Sequence, residues 1–137
     1  MFRFLDHPSE AYIEIEAQTV DDVFRDAATA VFELMTDTSA LQQEQEFSIE
    51  LESPGRRLLF IDWLNRLILI HELEHVFLCH FDVAVSETTT AKLTAIVHGE
   101  KIKENQERRT QAKSVTYGQF EWREDERGHL VRFLVDI

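Results

Sequence analysis

The sequence predicts an α+β domain. Apolar residues recur at helical steps of three and four over residues 20–35 and crowd residues 58–72, while other segments alternate apolar with polar residues, as a strand with one buried face does. The 137 residues suit a single domain, 1–137, around one core, and 44% hydrophobic against 29% charged residues is a globular balance.

Ala11, Ile13, Ile15 and Ala17 alternate with Tyr12, Glu14, Glu16 and Gln18, which predicts a half-buried strand. Thr19 stands three residues before Asp22, a pairing that caps free amide groups at a helix start. Val20, Val23, Phe24, Ala27, Val31, Phe32 and Met35 then form one apolar stripe along a helix ending near Thr36-Asp37. Phe47, Ile49 and Leu51 alternate with Ser48, Glu50 and Glu52, and Ser53-Pro54-Gly55 supplies the following turn.

The second helix, roughly Leu58 to Glu72, is apolar around much of its circumference, so it is expected at the centre of the core, covered on more than one side. Phe77, Cys79, Phe81, Val83 and Val85 alternate against Leu78, His80, Asp82 and Ala84. Leu93, Ala95 and Val97 repeat the pattern after a Thr-rich turn, so two adjacent strands are expected. Residues 103–113 contain only Ala112 as an apolar side chain and read as an exposed loop. Val115–Trp122 and Leu130–Ile137 read as a terminal hairpin with Gly128 in its turn.

Lys and Arg total 14 and Asp and Glu 26, a net charge of −12, which disfavours phosphate-backbone binding by the surface and suits a basic partner or a cation. The single cysteine, Cys79, excludes an internal disulfide and a Cys-based zinc ribbon and implies a reducing compartment. The opening MFRFLDHPSE lacks the apolar core and cleavage site of a signal peptide, so a cytoplasmic location is expected. Leu58–Ile70 is too short to span a bilayer and carries Asp62, Asn65 and Arg66. Gly55, Gly99, Gly118 and Gly128 are too dispersed for a phosphate-binding loop.

His71-Glu72-Leu73-Glu74-His75 matches H-E-x-x-H, which on a helix sets two imidazoles one turn apart to hold zinc. The continuation that supplies a third ligand is missing, and His80 stands at the wrong spacing. The motif also falls where helical periodicity gives way to a strand, so its histidines need not share a face. A zinc hydrolase is therefore the weaker reading. His7, His98 and His129 show no spacing that implies a cluster, and Cys79 reads as a small buried hydrophobe.

Several short motifs in order carry a resemblance along the whole chain: Phe4-Leu5-Asp6-His7, Phe32-Glu33-Leu34-Met35-Thr36-Asp37, Asp62-Trp63-Leu64-Asn65, Gly99-Glu100-Lys101, Lys113-Ser114-Val115-Thr116-Tyr117 and Asp136-Ile137. In these the chain resembles the archease family, activators of the RtcB-type RNA-splicing ligase. The resemblance implies an archease-like α+β fold, two main helices packed on a largely antiparallel β-sheet. It also implies a helper rather than an enzyme: a chaperone-like cofactor that promotes guanylylation and turnover of a GTP-dependent ligase. That ligase joins 3′-phosphate or 2′,3′-cyclic phosphate ends to a 5′-hydroxyl in tRNA splicing and RNA repair.

Within the resemblance, the first strand usually begins His-Thr-Ala-Asp, and that aspartate binds a divalent cation together with the final Asp-Ile. Here the segment is His7-Pro8-Ser9-Glu10, so Glu10, Asp136 and Ile137 are the implied ligands of a divalent cation, calcium first and magnesium as the alternative. Lys113 matches the family's basic residue and is implied to contact the ligase or its phosphate-bearing substrate. Asp62 is either a partner-facing helix residue or an ordinary charge on an amphipathic face. RNA is expected to be met only through the ligase, and no membrane is implied. The alternative function is a helper of RNA-modifying enzymes such as a tRNA methyltransferase.

Overall fold

The first helix begins as the sequence predicts: the Thr19 side-chain oxygen accepts a hydrogen bond from the Asp22 amide at 3.1 Å. The computed structural model describes residues 1–7 and 9–137. Pro8, inside the His7–Glu10 segment, lies outside the described residues. The elements in order are β1 Phe2–Leu5, β2 Ala11–Ala17, α1 Val20–Met35, β3 Gln45–Ser53, α2 Arg56–Glu74, β4 Val76–Glu87, β5 Ala91–Lys101, β6 Ser114–Asp125 and β7 Gly128–Asp136, with a 3-10 turn at Thr38–Ala40.

The α+β class, the two helices and the antiparallel pairing all stand. The strands, however, divide between two sheets where the sequence reading has one: β1-β2-β7-β6 and β3-β5-β4. Both helices touch both sheets. Phe60 of α2 meets Phe120, Trp122 and Phe133 of the four-stranded sheet edge-on and Phe24 of α1 likewise, while Trp63 meets Phe81 of the three-stranded sheet. This double covering buries two sides of α2, while Leu58, Leu69 and Leu73 leave further apolar residues of the helix exposed. The buried Trp63 indole donates to the Phe24 carbonyl at 2.9 Å, so its one polar atom is satisfied inside the core.

Three departures from the alternation have physical causes. On β2, Ile13 and Ile15 are fully buried as expected, but Glu14 is only 1% exposed because Arg3 and Arg132 reach it from both neighbouring strands. On β4 the register slips between Leu78 and His80, so Cys79 occupies a bulge and Leu78 joins Val76 and Phe77 in the core. Opposite that bulge Gly99 is forced: a Cβ there would lie 2.2 Å from the Phe77 carbonyl oxygen. On β6 the ladder to β7 breaks between Thr116 and Glu121, around Gln119 with φ 51°.

The loop over residues 103–113 is exposed along most of its length, yet it is not loose. The amides of Arg109 and Thr110 donate to the Met35 and Leu34 carbonyls, which the end of α1 leaves open, and the Thr36 hydroxyl donates to the Glu107 carbonyl. Among the described residues, no helix is long and apolar enough to cross a membrane.

Candidate functional site

Two ladders define one end of the four-stranded sheet. Ala11 pairs with Val135 and Ser114 with Asp136, so Glu10 and Lys113, which precede Ala11 and Ser114 in the chain, lie at the end of the sheet that carries Asp136 and Ile137. The Lys113 amide donates to the Asp136 carbonyl at 2.7 Å, which ties Lys113 to this end of β7 beside the Ser114–Asp136 pair. Four of the five residues singled out in the sequence therefore share one sheet end.

Asp136 is half-buried, and its Oδ2 accepts from the Ser114 hydroxyl at 3.0 Å. Glu10 Oε2 stands 3.7 Å from His7 Nδ1, a buried ring nitrogen without a hydrogen-bond partner among the described residues. Tyr12 donates to the Gln119 carbonyl at 3.2 Å, and its ring lies 5.8 Å from that of His7. The strained Gln119 is thus held beside the His7–Glu10 segment. The Lys113 side chain is exposed.

Helix α2 flanks this end through Asn65, whose side-chain amide donates to the Val115 carbonyl at 2.9 Å and accepts from the Val115 amide at 2.8 Å. One side chain thereby satisfies both polar groups of an edge-strand residue. Asp62, one turn earlier, accepts from the Ser53 hydroxyl at 2.8 Å. Burial, followed by the Asp62 charge, pushes the Tyr117 hydroxyl above its ordinary pKa. Asp62 and Lys113 share no ion pair among the described residues.

The sequence motifs contain Ser114, His7 and Asn65 but assign them no contact at this sheet end. The i,i+3 spacing of His7 and Glu10 was the available signal for one of them; the other two depend on strand register.

The H-E-x-x-H motif separates as expected. His71 closes the core side of α2, with Nδ1 donating to the Val76 carbonyl at 2.7 Å and Nε2 accepting from the Gln111 amide at 3.0 Å, so neither nitrogen faces an ion. His75 terminates the helix in the left-handed region at φ 54° and is exposed. Among the described residues no group of three or more His, Cys, Asp and Glu is arranged to hold a metal. Cys79 is a thiol raised in pKa by burial and then by the Glu100 charge, the opposite of an activated nucleophile.

Fold and site together define a two-helix, two-sheet α+β protein with a carboxylate-bearing sheet end. The model of the Archease protein family (MTH1598/TM1083) matches residues 2–137. The chain is 34% identical to the Methanothermobacter thermautotrophicus protein archease, over 99% of this chain and 98% of that one. It is 31% identical to the Sulfolobus acidocaldarius protein archease, with the same shares covered. It is similar to the solution structure of Methanobacterium thermoautotrophicum protein 1598, with a TM-score of 0.88, 35% identity, and coverage of 99% and 98%. The fold also matches the Thermotoga maritima crystal structure of an archease, described as a possible chaperone, with a TM-score of 0.63, 16% identity, and coverage of 97% and 94%. The chain belongs to the archease family.

Proposed function

We propose that this chain is a protein cofactor that activates a GTP-dependent RNA-splicing ligase of the RtcB type, promoting its guanylylation and turnover in cytoplasmic tRNA splicing and RNA repair. The observation that carries this reading is the gathering of Glu10, Lys113, Asp136 and Ile137 at one sheet end in a chain that matches the family from residue 2 to 137. The "possible chaperone" of the Thermotoga maritima relative is a helper role of the same kind.

The donors suit a hard cation. Glu10 and Asp136 offer carboxylate oxygens and Ile137 a main-chain oxygen, the ligand type of calcium and, with stricter geometry, magnesium. Two side-chain carboxylates are fewer than calcium's six to eight oxygens, so main-chain groups and water complete the set. When bound, the ion supplies fixed positive charge for a phosphate-bearing group of the partner.

The chain's own residues do the positioning. Ser114 holds one oxygen of Asp136 and leaves the other for coordination. Lys113, exposed and without an ion pair among the described residues, is a point charge for phosphate. Asp62, on the flanking helix and bonded to the Ser53 hydroxyl, is the second residue proposed to meet the partner. The net charge of −12 keeps RNA contact indirect, through the ligase.

The test is a guanylylation and ligation assay with a cognate ligase and substoichiometric amounts of this chain. Both steps should accelerate. No effect on either, with a ligase that responds to another archease, removes the reading.

A further inference from the structure

On the outer face of the three-stranded sheet, the register sets one residue from each strand in a row: Glu46 opposite His98, and His98 opposite His80. His98 Nε2 lies 3.0 Å from Glu46 Oε1, and in the neutral ring this nitrogen must be the donor, because a carboxylate only accepts. The tautomer follows. Nε2 carries the proton and Nδ1 keeps its lone pair, and Nδ1 is buried with no hydrogen-bond partner among the described residues.

The His80 ring lies 5.7 Å from the His98 ring, centroid to centroid, with the planes inclined by 51°. His80 is exposed, so its ring can turn toward Nδ1 without disturbing the core. A carboxylate that accepts one ring N–H while the other nitrogen is left bare is the arrangement that orients metal-binding histidines. A buried, unpaired nitrogen also costs free energy in the ion-free chain, and coordination relieves that cost.

We propose that His80 and His98 form a two-imidazole chelate for a divalent transition ion of the zinc, nickel and copper group, with Glu46 as the positioning residue. Imidazole nitrogens suit these ions and not calcium or magnesium, so this site is chemically separate from the carboxylate end of the other sheet. No three of the described His, Cys, Asp and Glu side chains already surround a common point. The chelate is therefore bidentate, and water fills the remaining positions.

The experiment is calorimetric titration of the untagged protein with nickel, zinc and calcium chlorides, with the imidazole resonances of its six histidines followed by NMR. One transition ion should bind per chain, with shifts confined to His80 and His98. His80→Ala and His98→Ala should each weaken binding at least about tenfold, and Glu46→Gln should weaken it roughly 10–100-fold, with calcium binding and melting temperature unchanged in all three. Absence of transition-ion binding at millimolar concentration overturns the proposal. So does affinity unaltered in both histidine variants, or shifts centred on His71 and His75.

Discussion

Arg132 donates from Nε to Glu14 Oε2 across the β2–β7 ladder at 2.7 Å, while Arg3 on β1 donates to the other oxygen at 2.6 Å. The three residues stand directly opposite one another on adjacent strands. A carboxylate that is 1% exposed is held by two guanidinium groups that both reach solvent.

The two sides of this contact are unequal. Arg132→Ala leaves a buried carboxylate with Arg3 as its one charged partner among the described residues and should cost about 1–3 kcal/mol. Glu14→Gln frees two arginines that water can solvate and should cost less. Urea denaturation of both variants checks the order.

The pair also sets an acid limb of stability. The Arg3 hydrogen bond, then that of Arg132, holds the Glu14 carboxyl below its ordinary value against the opposing effect of burial. The unfolded chain binds this proton first as the pH falls, so the contribution is complete above the ordinary carboxylate range and is lost as pH drops through that range to the lowered folded value. The stability gap between the native chain and Glu14→Gln should be full near ~pH 7 and much reduced near ~pH 3.

His71 and His75 should respond in opposite ways. His71→Ala removes a buried ring that is bonded at both nitrogens and stacked on Phe77, at a cost of about 2–4 kcal/mol. His75→Gly relaxes a left-handed residue and should be neutral or stabilising by up to about 1 kcal/mol. Thermal melts separate the two; a bound zinc lost on either substitution would contradict this account.

Gly99→Ala should be poorly tolerated, because its Cβ meets backbone rather than a side chain that can move. A loss of about 1–3 kcal/mol or more is expected in denaturant unfolding.

At the sheet end, Glu10→Ala and Asp136→Ala should each weaken calcium binding and ligase activation together while leaving the melting temperature nearly unchanged. Calorimetry and guanylylation assays on the same preparations read both. Full activation by both variants would place the functional site elsewhere.

Much of this architecture was legible because pattern follows period: the Val20–Met35 stripe and the Thr19 cap reported α1, and alternation reported β2, β3 and β5. Position within a sheet was not legible. Glu14 reads as solvated by alternation alone, and only the two arginines on flanking strands, far away in sequence, explain its burial. The same blindness to register hid the bulge at Cys79 and the His80–His98–Glu46 row. The convergence of Glu10, Lys113, Asp136 and Ile137 was half visible, through motif resemblance, and became geometry only with the β2–β7–β6 ladders.

The bulge on β4 and the ladder break on β6 fall on the longest strands, and both of these are outermost in their sheets. A straight outermost strand of 12 residues offers a continuous row of unpaired amides and carbonyls to any other chain. Cys79 breaks that row on one sheet, and the Tyr117–Phe120 interruption, together with the Asn65 amide clamp on Val115, breaks it on the other. Each irregularity thus protects the chain against open-ended strand addition and aggregation, leaving two short faces of edge where one long one would have invited a neighbour.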